Sequence, residues 1–180
     1  SDLKEAFMTR FPTALLLASL VFLIGTADEA NAWESTGTNW TWQSSAVETP
    51  FSLNTASFPS SAGSAAQISS AMDSARGAWN GAGAAVVVQD GGSTGELSWA
   101  MDERNVVQFH SGSFGGGTLA VAQYWSAGGN TYDCDIRFYA QNDQGVIDWS
   151  SASAGAPSGS FDIQYVAEHE IGHCLGLSHS

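Results

Sequence analysis

The chain has 180 residues, enough for one domain with a real core and too few for two full ones. Lys and Arg number 5 against 18 Asp and Glu, a formal charge of -13 that disfavours nucleic acid and anionic membrane surfaces as partners. With 20 Gly, 7 Trp and only 13% charged residues, the composition reads as an extracellular, loop-rich α+β domain rather than a disordered tail.

The N-terminus looks like an export signal. TALLLASLVFLIG, residues 13–25, is an apolar run too short to span a bilayer comfortably, and ADEANA follows it with Ala30 and Ala32 in a small-x-small pattern. Residues 1–32 are expected to be a signal peptide cut before Trp33, with an uncleaved anchor as the competing reading. Both place the rest outside the cytoplasm. A start at Met8 leaves a short leader with Arg10 and no acids, cleaner than one containing Asp2 and Glu5, so residues 1–7 read as upstream read-through.

From Trp33 a linker leads into an alternating strand at 40–47. The Ser/Ala stretch that follows predicts a helix over 64–79, with Ala65, Ile68, Met72, Ala75 and Trp79 on one core-facing stripe and Gly81 and Gly83 ending it. Strands are expected at 84–90 and 105–110. The segment 118–125 alternates between glycines at 115–117 and 128–129 and reads as an edge strand, and 131–140 forms the other arm of a hairpin. No internal repeat is present. A last helix near the C-terminus completes an α+β order, with helices segregated from a mixed sheet.

That helix carries HEIGHCLGLSHS, residues 169–180. Residues four apart share a helix face, so His169 and His173 project together and Glu170 stands about 100° away. Two neutral imidazoles so placed form a clamp for Zn²⁺, and catalytic zinc sites take three protein ligands. Gly176 can enter the left-handed conformation at no steric cost, ending the helix and turning the chain to bring His179 to the metal as the third ligand. Glu170, beside the ion but not bound to it, has the position of a general base for a zinc-held water. A bare HExxH arises by chance; the added Gly and His reduce chance matches on the order of a thousandfold.

HExxHxxGxxH followed by Ser180 resembles the signature of the metzincin zinc endopeptidases, and of the matrixin branch in particular. DIQYVAEHEIGHCLGLSHS, from Asp162, resembles the family's active-site helix with its lead-in. CDIRFYAQND, from Cys134, resembles the strand before it, and the likeness covers about 39–180. It implies a mixed, mostly parallel twisted sheet with an antiparallel edge strand, packed against two long helices. By the same resemblance the chain is a secreted, monomeric zinc endopeptidase with one catalytic Zn²⁺, acting on protein or peptide substrates bound in extended form along the edge strand. Stable membrane association after signal cleavage is not implied, nor is a covalent acyl intermediate.

The remaining residues leave alternatives. Cys134 and Cys174 fall on elements that should pack together; an oxidising compartment favours a bridge, and two buried thiols are the other reading. Cys174 is rotated about 100° from His173 and cannot share its metal. His110, the one histidine outside the motif, reads as a solvated loop residue, so no structural zinc of the matrix metalloproteinase kind is expected. Asp133, Asp135, Asn142, Asp143 and Asp148 offer hard oxygens for Ca²⁺, with ordinary surface acids as the competing reading. No Cys lies between Ala32 and the first strand, so latency through a pro-peptide cysteine is not expected. The family continues past its third His to a Met-containing turn, so 33–180 reads as a C-terminally incomplete catalytic domain. The rival function is a noncatalytic extracellular binding module whose zinc serves structure alone.

Overall fold

A computed structural model describes residues 33–35, 39–40, 47–83 and 86–179. The expected signal peptide, 1–32, lies outside the described residues. Contacts gather Ser35–Ser178 into one body, while Trp33, Glu34 and His179 are the described members of a second unit. Among the described residues no helix is long and apolar enough to cross a membrane.

The first helix begins where local chemistry demands it. Ser64 has extended backbone and its hydroxyl accepts from the Gln67 N–H, while the Gln67 side chain accepts from the Ser64 N–H, a reciprocal cap. Helix α1 (Ala65–Gly81) then outlasts its predicted end by two positions. Gly81 is still helical; the reversal comes at Gly83, which follows the C-cap Ala82 with φ 76°. Ile68, Ala71, Met72 and Ala75 form its buried stripe.

The strands are β1 (Trp33–Ser35), β2 (Asn39–Trp40), β3 (Val47–Leu53), β4 (Val86–Ser93), β5 (Asn105–Phe114), β6 (Ala120–Ala127), β7 (Asn130–Asn142), β8 (Gly145–Val146), β9 (Trp149–Ser150), β10 (Phe161–Asp162) and β11 (Leu177–His179). In the main sheet β7, β5, β3 and β4 run parallel in that order, and β6 pairs antiparallel with β7 at the edge. Short β2 and β8 also pair with β7. With helix α2 (Ile163–Cys174), this is the mixed, mostly parallel sheet with an antiparallel edge and two helices that the resemblance implied.

Of the strand expected at 40–47, Trp40 ends β2 and Val47 opens β3, and 41–46 lie outside the described residues. The long first strand is β3, which contains Pro50. A proline lacks the ladder N–H, and here it sits one residue before the pairing with β5 begins at Phe51. The 105–110 segment extends as β5 to Phe114, so His110 is an exposed strand residue, edge-on to Tyr139, rather than a loop residue. The hairpin follows its glycines: Gly128 and Gly129 have φ 60° and 81°, the paired left-handed turn that suits strand twist.

Side chains alternate along β7. Cys134, Ile136 and Phe138 join a core with Phe51, Leu53, Val88, Val107 and Phe109 from the sheet, Met72 and Ala75 from α1, and Ile163, Ala167 and Ile171 from α2. Asp133, Asp135 and Arg137 take the opposite face, which residues 94–104 cover. There Asp133 accepts from the Asp102 and Glu103 N–H groups at 2.7 Å each, and Arg137 lies 4.1 Å over the Trp99 ring.

Candidate metal centre and active site

Helix α2 is fixed first at its start. The Asp162 carboxylate accepts from the Gln164 N–H at 2.8 Å, an N-cap that also sets a negative charge at the positive end of the helix. Midway, the Trp79 indole of α1 donates to the Glu168 carbonyl at 2.8 Å. At its end the sulfur of Cys174 is bonded to that of Cys134 on β7, with the two Cα atoms 5.7 Å apart.

The helix then stops at the predicted glycine. Leu175 N–H reaches the Ile171 carbonyl and Gly176 N–H the His173 carbonyl, and Gly176 has φ 94°, a conformation costly for any residue with a Cβ. The reversed chain brings the Leu177 carbonyl 2.8 Å from His173 Nδ1. A carbonyl can only accept, so Nδ1 carries the proton and His173 Nε2 is left with its lone pair.

That nitrogen lies 3.1 Å from His169 Nε2. Two nitrogens bound to one tetrahedral zinc at 2.0–2.1 Å are separated by about 3.3 Å, so the pair is already at ligand spacing. The rings cross at 86°, which lets both present a nitrogen without stacking. Ligand atoms of His169, His173 and His179 all lie within 4.8 Å of one another; among the described residues no other group of His, Cys, Asp and Glu converges in this way. The donor set, three imidazoles and no thiolate, suits zinc.

Glu170 is 5% exposed. Burial pushes its carboxyl up to about 7, against the opposing effect of a hydrogen bond from the Ala122 backbone N–H of edge strand β6. Backbone contacts of this kind leave no trace in a sequence, and neither does the Trp79 to Glu168 bond, whose partners are 89 residues apart.

The five oxygen donors considered for Ca²⁺ are not brought together. Asp143 accepts from the Gly116 N–H at 2.7 Å and Asp148 is exposed. Asp133 and Asp135 are not surface acids: both are fully buried under residues 94–104, and burial raises both carboxyls, that of Asp135 to about 7. What hides them is a loop with no periodicity to read.

Among curated proteins none matches the chain. The sequence model of the matrixins, peptidase M10, matches residues 41–180, a span that includes the three histidines, Glu170 and both cysteines. This chain belongs to the matrixin family of metallopeptidases.

Proposed function

We propose that the chain is a secreted zinc endopeptidase in which His169, His173 and His179 hold the metal and Glu170 is the general base. The observation that carries the reading is the 3.1 Å approach of the two Nε2 atoms with a buried carboxyl on the intervening residue. A zinc ion held there would acidify a water molecule and polarise a scissile carbonyl. Three protein ligands leave a fourth position open, as catalysis requires and a closed structural site does not.

Glu170 takes the proton from the attacking water and passes it to the departing amine. Its burial favours this, because desolvation raises the carboxyl and so makes it a stronger base. The Ala122 N–H aims the carboxylate. Because Ala122 belongs to β6, the same strand that holds the base offers the open edge on which an extended peptide can add by main-chain hydrogen bonds. The substrate is therefore protein or peptide, and the net charge of -13 disfavours nucleic acid.

Hydrolysis of an unfolded protein substrate such as casein tests the reading. Activity should vanish with a zinc chelator and return when zinc is restored; hydrolysis indifferent to chelation would refute it. Export through residues 1–32 predicts that the secreted protein begins at Trp33, readable by N-terminal sequencing.

A further inference from the structure

We propose that the Cys134–Cys174 disulfide is a positioning pair for the metal site, setting the direction of His173 and of the turn that follows it. This rests on the zinc reading above, and it assigns the bond a role separate from stability.

The bond joins β7 to the last residue of α2, and both cysteines are fully buried. Cys174 is the covalent neighbour of His173, and successive side chains on a helix diverge by about 100°. Fastening one to the sheet therefore fixes where the other points. Elsewhere on α2, the Asp162 cap and the Trp79 bond to Glu168 are hydrogen bonds placed before His169, and the Ala122 N–H of β6 meets Glu170 one residue after it. The disulfide is the covalent tie at the last turn, the part of a helix that frays most readily.

The turn depends on the same anchor. Gly176 N–H bonds to the His173 carbonyl, and the Leu177 carbonyl returns to His173 Nδ1, so the group that fixes the tautomer leaves the helix just beyond Cys174. The sheet end of the tie is held in turn. Buried Asn105 accepts from the Cys134 N–H at 2.8 Å and donates to the Pro50 carbonyl at 2.9 Å, bracing Cys134 across β5 to β3. A chain of fixed contacts thus runs from the middle of the sheet to an imidazole. Metal ligands tolerate displacements of about 0.2 Å, and losing a group that orients a ligand typically weakens metal affinity about 10–100-fold.

The test compares the full chain with Cys134→Val/Cys174→Ala, measuring cobalt(II) affinity by chelator competition, the cobalt visible absorption spectrum and far-UV circular dichroism. We expect about 10–100-fold weaker affinity and an altered spectrum with an unchanged dichroism signal. Affinity within about twofold of the parent, with the same spectrum, would overturn the proposal. If that pair does not fold, Cys134→Ala/Cys174→Ala is the second variant. If neither folds, the bond is needed for the fold itself and the positioning role is wrong. A parent chain that binds no cobalt would remove the zinc reading and this inference together, whereas equal binding by parent and variant removes only this one.

Discussion

His169 and His173 face each other with Nε2 atoms 3.1 Å apart, and the Leu177 carbonyl holds the Nδ1 proton of His173. One turn of helix supplies the pair, and one glycine supplies the reversal that fixes the tautomer. Backbone geometry thus sets the spacing of the two imidazoles proposed as ligands.

Replacing His173 with Ala should reduce bound zinc from about one per chain to near zero, since two remaining imidazoles make a weak site. His110→Ala should leave zinc content unchanged, because His110 packs on Tyr139 of the sheet. Elemental analysis of the purified variants checks both.

The stability of the chain should fall as pH rises through the neutral range. Asp135 ionises near 7 in the native chain against an ordinary value of 3.8, the main cause being burial and a further one the charge of Asp133. Between these values the folded state keeps a proton that the unfolded chain has released, so its contribution is full below about 4 and is lost as pH climbs past about 7. Asp135→Asn should flatten this dependence. Melting temperatures of parent and variant between pH 5 and pH 8 decide it, and parallel curves would contradict it.

Asn80 covers part of the β4 edge of the sheet. Its side chain donates to the Val88 carbonyl and accepts from the Val88 N–H, both at 2.9 Å, standing in for a neighbouring strand on β4. Asn80→Ala leaves two nearly buried backbone groups without partners and should cost about 1–3 kcal/mol. In urea the midpoint should drop while the slope stays unchanged.

Removing the Ser64 cap should cost about 1 kcal/mol, since Ser64→Ala frees the Gln67 N–H and breaks the reciprocal pair. Thermal unfolding should report a loss of about 2–4 °C.

The parts of the fold visible in the sequence are those governed by neighbours along the chain. Ser64 and the stripe through Ile68, Met72 and Ala75 announce α1; Gly128 and Gly129 announce the β6–β7 turn; the spacing from His169 to Gly176 announces α2 and its end. The hidden parts depend on contacts across the fold. The strand over Val47–Leu53 contains Pro50, which it tolerates because β3 meets β5 only from the next residue onward. Asp133 and Asp135 looked like surface acids because residues 94–104, which bury them, follow no pattern. The bridge between Cys134 and Cys174 stayed open because spacing in sequence says nothing about the 5.7 Å between their Cα atoms. Glu170 was visible as an acid beside two histidines, but the Ala122 N–H that aims it belongs to a strand distant in sequence.

The most direct test of the central claim is turnover by Glu170→Gln at zinc occupancy matched to the parent. The amide keeps the size of the side chain and removes its ability to take a proton. About one zinc per chain is expected in both proteins, with hydrolysis in the variant reduced by a factor of about 100 or more. Turnover within a few-fold of the parent at equal zinc would contradict the role assigned to Glu170 and the mechanism built on it.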